Sequence, residues 1–223
     1  MERKVIITHD GSSSIYLPEW DEHYHSIHGA IQEAYHVFIK NGLYLFKEKR
    51  KIELLEIGFG TGLNALITLI EGEKYNLFIN YTGIEAYPVS LEEMKQLNYL
   101  SLLDAKHKEL EFVKMHEDNW EEKLRISDAF NLTKKQQKFQ DIREKNKYNL
   151  IYFDAFGARV QPELWTETVF VQMFEALAEG GVLVTYAAKG SVRRAMLASG
   201  FEVEKLPGPP GKREMLRATK PKK

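Results

Sequence analysis

The sequence contains no cysteine among its 223 residues and no long apolar run. The absence of cysteine excludes a disulfide framework, a cysteine nucleophile, thiolate zinc ligands and cysteine-ligated iron–sulfur clusters. The longest stretch without a formal charge, Ile57 to Ile70, has 14 residues including three glycines, which is too short to cross a bilayer. The N-terminus leads into no apolar signal segment. We therefore expect a soluble, cytoplasmic protein.

Positive and negative charges are nearly equal in number, with 31 Lys and Arg residues and 32 Asp and Glu residues. Their distribution is uneven, however. From Lys189 to Lys223 there are ten basic and three acidic residues, a net charge of +7, which leaves −8 for the rest of the chain. Such asymmetry indicates one edge that meets a polyanion. We predict anion contacts in this edge at Arg193, Arg194, Lys212 and Arg213.

A length of 223 residues indicates one domain with a small addition, and a hydrophobic content of 43% is enough for a buried core. The addition is predicted at the N-terminus. Two short β-like runs, at 5–8 and 15–17, flank the turn Asp10-Gly11 and predict a hairpin. An apolar stripe then predicts a helix from Ser26 to Lys40. We expect residues 1–45 to cover the pocket of a domain that spans 46–223.

Strand and helix patterns alternate through that domain. Strands are predicted at 52–57, 77–84, 110–115, 150–153, 182–187, 201–205 and 213–219. Helices are predicted at 63–70 (ended by Gly72), after the capping-box residue Ser90, and at 120–124, 133–147, 166–177 and 192–197. Repeated β-α units predict an α/β, Rossmann-like fold with a mostly parallel seven-stranded sheet. The tight turn at 207–211 makes one of the last two strands antiparallel.

The most informative motif is Glu56-Ile57-Gly58-Phe59-Gly60-Thr61-Gly62, which follows a predicted strand and opens a helix. Glycines permit a tight turn and let backbone N–H groups approach a ligand at the helix N-terminus. The glycine spacing differs from the nicotinamide fingerprint and resembles the S-adenosylmethionine loop of Rossmann-like methyltransferases. We predict that this loop binds the cofactor through Glu56, Gly58, Phe59, Gly60, Gly62 and Asn64.

Acidic residues follow three of the predicted strands. Glu85 ends the second, where a carboxylate can accept hydrogen bonds from both ribose hydroxyls. Asp118 follows the third and is predicted to contact the adenine amino group, with Glu117 as the alternative. Asp154 follows the fourth, so it is expected beside the transferred group, and Phe156 is expected to supply an aromatic wall.

The sequence gives little support for a metal site or for a serine hydrolase. His23, His25, His28 and His36 form a cluster, but their H-x-H-x-x-H spacing lacks the carboxylate pattern of a hydrolytic metal site. We predict no metal and expect these histidines to line or cover the pocket. A serine hydrolase is unsupported because no G-x-S-x-G motif occurs.

Several segments taken together resemble one family: the methyltransferase domain of the bacterial bifunctional tRNA-modifying enzyme MnmC and its free-standing counterparts, called MnmD. The matching segments lie at 56–64, 153–156, 162–165, 190–194, 198–201 and 211–216, with weaker likeness at 24–33. The glycine loop alone indicates only a methyltransferase. The joint occurrence of V-R-R and G-K-R-E-M-L is more specific.

This resemblance implies N-methylation of 5-aminomethyl-2-thiouridine at the tRNA wobble position, with S-adenosyl-L-methionine as cofactor. Asp154 and Phe156 would be the catalytic residues, and Trp165 would pack against the extruded base. The basic residues at 193, 194, 212 and 213 would bind flanking phosphates. Because no flavin-binding half follows residue 223, we expect separate enzymes to supply the aminomethyl precursor.

Two alternatives stay open. One is a methyl- or aminopropyltransferase that acts on a small amine, since polyamine synthases share the sheet and an acidic site on the fourth strand. The charge of +7 in the tail argues against a cationic substrate. The other is a non-catalytic module that binds S-adenosylmethionine and a partner protein, against which the position of Asp154 argues.

Overall fold

The computed structural model describes residues 2–117 and 119–222. Its N-terminal part is a three-stranded antiparallel sheet made of β1 (Lys4–Ile7), β2 (Ser13–Leu17) and β3 (Glu22–His23). β1 and β2 form the predicted hairpin. The helix α1 (Ala30–Ala34) follows and continues as a π-helix, Tyr35–Lys40. It begins four residues later than predicted, because Gly29, with a φ of 151°, precedes it in a non-helical conformation.

A second sheet of eight strands forms the centre of the molecule. Its strands are β4 (Lys51–Ile57), β5 (Phe78–Glu85), β6 (Lys123–Ser127), β7 (Phe130–Gln136), β8 (Tyr148–Phe153), β9 (Leu177–Thr185), β10 (Glu202–Pro207) and β11 (Glu214–Thr219). They are arranged in the order β10-β11-β9-β8-β4-β5-β7-β6. The mostly parallel α/β sheet is confirmed, as is the closing antiparallel hairpin β10–β11. The predicted count of seven strands is wrong, because β6 adds a second antiparallel strand at the far edge.

Helices connect these strands: α2 (Leu63–Lys74), α3 (Leu91–Met94), α4 (Tyr99–Leu102), α5 (Glu109–His116), α6 (Glu167–Ala176) and α7 (Gly190–Ala198). The capping box of Ser90 and Glu93 at the start of α3 is confirmed. Gly72 does not end α2. A Cβ atom at Gly72 would lie 2.7 Å from Ile79 Cδ1, so this glycine lets the helix pack closely on β5.

The predictions for 110–147 are wrong in three places. Residues 110–115 belong to the helix α5, whose buried Phe112 and Met115 are three residues apart. The predicted helix at 120–124 is an isolated bridge from Trp120 and the start of β6. The segment 133–147, predicted as a helix, begins inside the strand β7, in which alternate residues are buried.

The parallel strands at the centre of the sheet are buried on both faces, because helices cover them on either side. α6 ends at Ala176 and β9 begins at the next residue, so the pair Gly180-Gly181 lies inside a strand. In the two described ranges, no helix is long and apolar enough to cross a membrane.

Candidate active site

A cavity of about 630 Å³ lies at the carboxyl ends of β4, β5 and β8. Ligands of open α/β sheets bind at this edge. Its lining includes loop residues 58–61, residues 85–87 after β5, and residues 154–157 after β8. Residues 22–27 and Glu33 of the N-terminal part line it as well. A volume of this size accommodates a nucleoside cofactor.

The glycine loop has the backbone geometry that its sequence predicts. Gly58, Gly60 and Gly62 have φ angles of 88°, 52° and 71°, a region that L-residues with side chains disfavour. A Cβ atom at Gly58 would lie 2.6 Å from the carbonyl oxygen of Asp154, so this glycine also permits β4 and β8 to approach at their ends. The loop leads into α2, whose N-terminal N–H groups favour an anionic group such as a carboxylate.

Glu85 lies beside this loop, and its carboxylate is held by two backbone groups. Oε2 accepts a hydrogen bond from Gly60 N at 3.0 Å, and Oε1 accepts one from Tyr87 N at 2.8 Å. Each oxygen keeps a further lone pair for a donor in the cavity. This arrangement fits a ribose, which offers two neighbouring hydroxyl donors.

Asn64 connects two carboxylates at the ends of neighbouring strands. Its Nδ2 donates to Glu56 Oε1 at 2.8 Å and to Asp154 Oδ2 at 2.9 Å. Glu56 is only 1% exposed, and burial raises its pKa well above the usual value. Asn64 Oδ1 is buried and has no hydrogen-bond partner in the part of the chain described. A donor on a bound cofactor would satisfy that atom.

Asp154 lies directly after β8 and lines the cavity. Burial is the main reason that its pKa is raised from 3.8 to about 7, and the negative charge of Glu33 adds to the effect. The hydrogen bond from Asn64 and the positive charge of Lys212 act in the opposite direction. A carboxyl group with this pKa exchanges a proton readily at neutral pH.

Three aromatic residues of the prediction lie at different depths. Phe156 lines the cavity and meets Tyr24 edge-to-face, with ring centroids 5.1 Å apart. Phe59 lines the cavity and packs against Gly83 of β5. Trp165 is 5% exposed and lies behind the lining, where its indole N–H donates to the Phe156 carbonyl at 2.8 Å. Trp165 therefore holds the Phe156 backbone in place, and its predicted contact with the base stays a prediction.

The four basic residues predicted at the anion edge occupy two different places. Lys212, in the turn between β10 and β11, lines the cavity, and its ammonium pairs with the Glu33 carboxylate. Its predicted phosphate contact stays a prediction. Arg193 and Arg194 lie in α7, and Arg213 precedes β11. Arg194 and Arg213 are exposed, whereas Arg193 is half-buried.

The histidines do not form a common site. His23 and His25 line the cavity, while His28 packs on His9. His25 contacts Ser14 Oγ and Thr61 Oγ1 through its two ring nitrogens, and burial lowers its pKa to about 4. It therefore joins β2 to the cofactor loop as a neutral ring. Among the residues described, no three His, Cys, Asp or Glu side chains are grouped to hold a metal.

The predicted adenine contact, Asp118, lies outside the described residues. Its prediction rested on a strand at 110–115, which is part of α5. The third parallel strand along the chain is β7, and the residues that follow it do line the cavity: Lys138, Phe139 and Gln140. Phe139 is 8% exposed and offers an apolar face to a base. These three residues, with Tyr87, are further candidates for adenine contact.

Sequence reasoning missed two cavity residues that bear on the chemistry, Glu33 and Tyr186. Glu33 occupies the apolar stripe of α1 beside the buried residues Ala30 and Ala34, and it is only 7% exposed. A carboxylate at a stripe position is itself a signal, since buried acids are paired. Tyr186 directly follows β9, and its hydroxyl donates to the Ala155 carbonyl at 2.8 Å.

The sheet order, the glycine loop and the acid at the end of β5 define a Rossmann-like protein that binds a nucleoside cofactor. A family profile described as S-adenosyl-L-methionine-dependent methyltransferase matches residues 90–221. The chain belongs to this family, and S-adenosyl-L-methionine is its cofactor.

Curated relatives extend the match to most of the chain. It is 31% identical over 94% of its length to the tRNA 5-methylaminomethyl-2-thiouridine biosynthesis bifunctional protein MnmC of Cupriavidus metallidurans, and 32% identical over 89% to that of Leptospira interrogans. It covers 33% and 32% of those proteins, so it spans about a third of their length.

Solved structures support the Rossmann-like fold. The crystal structure of MnmC2 from Aquifex aeolicus matches all of this chain and 71% of that one, with a TM-score of 0.81 and 25% identity. Spermidine synthase from Thermotoga maritima matches 95% of this chain and 69% of that one at a TM-score of 0.51 and 12% identity, a likeness of fold alone.

Proposed function

We propose that this chain methylates the primary amine of 5-aminomethyl-2-thiouridine at the tRNA wobble position and produces the 5-methylaminomethyl form. The observation that carries the proposal is the position of Asp154. Its carboxyl group lines the same cavity as the cofactor loop and has a pKa of about 7. The names of the MnmC relatives support a tRNA substrate.

The proton on the substrate amine is the main chemical obstacle. S-adenosyl-L-methionine, when bound, supplies a methyl group that its sulfonium already activates. An alkyl amine is protonated at neutral pH and has no free lone pair in that form. Asp154 accepts the proton, and Asn64 holds the carboxylate in place. Phe156 and Tyr24 form an aromatic wall that excludes water and packs the extruded base.

Topology supports a tRNA surface beside the cavity. The carboxyl ends of β8 and β9 share one edge of the sheet because these strands are parallel. α7 begins shortly after β9, and the β10–β11 turn reaches the cavity through Lys212. Arg193, Arg194 and Arg213 therefore lie near the cavity, where they bind phosphates that flank the flipped base. A tRNA substrate implies a cytoplasmic reaction, with separate enzymes that supply the aminomethyl group.

A second candidate is transfer of a methyl or aminopropyl group to a small free amine. Besides Asp154, the carboxylates of Glu22, Glu33 and Glu163 line the cavity, and acids of this kind suit a cationic substrate. The basic residues outside the cavity have no role in such a reaction. They favour the tRNA substrate.

The test is methyl transfer from labelled S-adenosyl-L-methionine to bulk tRNA from a strain that lacks this gene, followed by nucleoside analysis. We expect label in a 5-methylaminomethyl-2-thiouridine nucleoside. Label in free polyamines with unlabelled tRNA would support the second candidate. Cofactor binding without transfer to either would identify a non-catalytic module.

A further inference from the structure

An ion pair lies inside the cavity, between residues 179 positions apart in the chain. The Lys212 ammonium donates to Glu33 Oε1, while Glu33 Oε2 accepts from Ser26 N at 2.9 Å. The Glu33 side chain is 9% exposed and that of Lys212 31% exposed. Because the Glu33 carboxylate is buried, its charge is costly to desolvate without a partner, and in this cavity Lys212 supplies that partner.

The Lys212 ammonium also lies on an aromatic face. Its Nζ is 3.8 Å from the centroid of the Tyr186 ring, close enough for a cation–π interaction. The Tyr186 hydroxyl donates to the Ala155 carbonyl, which fixes the ring beside Asp154. Asp154 feels the charges of both Glu33 and Lys212. Lys212 therefore pairs with the Glu33 carboxylate, lies on the Tyr186 ring and acts electrostatically on the Asp154 carboxylate.

These three groups are the ones that recognise a primary alkylammonium ion. Carboxylates accept its N–H hydrogens in charge-assisted hydrogen bonds, and an aromatic face attracts its charge. Lys212 carries just such a group at the end of a flexible four-carbon chain. The ammonium of Lys212 and the protonated aminomethyl group of a substrate are chemically alike at this point.

We propose that Lys212 occupies the subsite for the substrate's ammonium group until substrate binds, and that Glu33 determines specificity there. The proposal rests on the proposed function and names the residues that select an aminomethyl group over an unmodified base. On binding, the substrate ammonium takes the place between Glu33 and Asp154. The Lys212 side chain withdraws along the cavity and stays near enough to repel the new charge.

That repulsion promotes the reaction. The substrate ammonium gives one proton to the Asp154 carboxylate, and a neighbouring positive charge makes this loss easier. The neutral amine then uses its lone pair to form the new C–N bond as the S–CH₃ bond breaks. The sulfonium becomes a neutral thioether, and the product is a secondary ammonium. Three more acids lie close to this site: Asp154 acts electrostatically on Glu56, Glu22 acts on Tyr186, and Glu163 lines the cavity.

The test compares two forms of one tRNA, with and without the aminomethyl group, using the full chain and its Lys212→Met variant. Without the competing ammonium, the variant should bind aminomethyl-tRNA roughly three- to tenfold more tightly, with a lower KM. Its kcat should fall, and its pH–rate profile should move to higher pH, because the bound ammonium holds its proton more firmly. Affinity for tRNA without the aminomethyl group should not change.

Three further variants complete the design. Glu33→Gln should raise KM for aminomethyl-tRNA and leave binding of the unmodified tRNA unchanged. The matched control is Lys205→Met, which removes a Lys–Glu pair of the same hairpin, with Glu214 at 2.9 Å, outside the cavity. It should leave the preference for aminomethyl-tRNA as in the wild type. If Lys212→Met does not fold, the neutral pair Glu33→Gln with Lys212→Met should lose that preference.

The proposal is overturned if Lys212→Met weakens binding of both tRNAs equally, which would make Lys212 a phosphate contact. It is also overturned if Lys212→Met leaves KM, kcat and the pH profile unchanged, or if the neutral pair retains full preference. Failure of the proposed function looks different, because the wild-type chain would then methylate neither tRNA.

Discussion

The side-chain amide of Asn64 lies 2.9 Å from Asp154 Oδ2 and donates a hydrogen bond to it. This contact ties the first turn of α2, which follows the cofactor loop, to the residue that follows β8. The same nitrogen donates to Glu56 at the end of β4. One amide thus sets the position and the proton affinity of the carboxylate that we propose as the base.

Asn64→Leu should therefore shift the pH dependence of methyl transfer. The hydrogen bond from Asn64 lowers the Asp154 pKa, so its loss should raise that pKa above about 7 and move the acidic limb of the rate to higher pH. Single-turnover rates across pH measure the shift. Asn80→Leu is the matched control, since Asn80 donates to Glu53 at 2.7 Å in the same sheet. It should lower stability without moving the limb, and equal profiles for the two variants would contradict the prediction.

Gly58→Ala should lower the unfolding free energy by more than the strain of a left-handed backbone alone explains. Gly11 and Gly58 have φ angles of 84° and 88°, but a Cβ atom at Gly11 meets nothing within 4 Å, whereas one at Gly58 meets the Asp154 carbonyl at 2.6 Å. Gly11→Ala should lose about 1–2 kcal/mol of unfolding free energy. Gly58→Ala should lose more and displace Asp154, so methyl transfer should fall as well. If denaturant unfolding shows that Gly11→Ala and Gly58→Ala lose the same unfolding free energy, the contact of the added Cβ atom with the Asp154 carbonyl does not contribute, and the prediction is wrong.

Glu85→Ala should weaken cofactor binding by about 1–3 kcal/mol, because the carboxylate would no longer accept hydrogen bonds from the ribose hydroxyls. Calorimetry with S-adenosyl-L-methionine measures this directly. Glu92→Ala removes an exposed acid that pairs with Lys95, and its affinity should equal that of the wild type. Unchanged affinity in Glu85→Ala would place the ribose elsewhere in the cavity.

The sequence alone predicted that the cofactor loop, Glu85 and Asp154 share one site, and there is a physical reason for this. β4, β5 and β8 are parallel and largely buried on both faces, so their sequences are mainly apolar and their ends are easy to locate. Residues that follow such strands meet at one edge of the sheet. The loop at Gly58, Glu85 and Asp154 were therefore predicted at one site, and all three line the cavity.

β7 was missed because its inward positions include Lys134. This lysine is 2% exposed, and its ammonium donates to the Glu117 carbonyl and lies over the Trp120 ring. Local partners thus permit a charge where a strand pattern requires an apolar residue. The pair of Glu33 and Lys212 could not be predicted either, because a sequence pattern carries no information on contacts between segments 179 positions apart.

Arg194→Ala should raise the KM for tRNA and make this KM less dependent on salt concentration. The reason is that tRNA releases about one counterion fewer on binding for each phosphate contact that is removed. Affinity for S-adenosyl-L-methionine should not change. Arg125, which is exposed on the edge strand β6 and pairs with Asp128, is the matched control. If Arg125→Ala and Arg194→Ala have the same salt dependence, the tRNA surface does not include α7.

The central claim is that Asp154 removes the proton from the substrate amine. The most direct test is single-turnover methylation of aminomethyl-bearing tRNA from pH 6 to 9 by the wild type and by Asp154→Asn. The wild-type rate should rise through pH about 7, as Asp154 loses its own proton and becomes able to accept another. Asp154→Asn should be slower by on the order of 10²-fold and lack that limb, with cofactor affinity retained. An Asp154→Asn variant with the wild-type rate at every pH would contradict the account and leave Asp154 without a role in proton transfer.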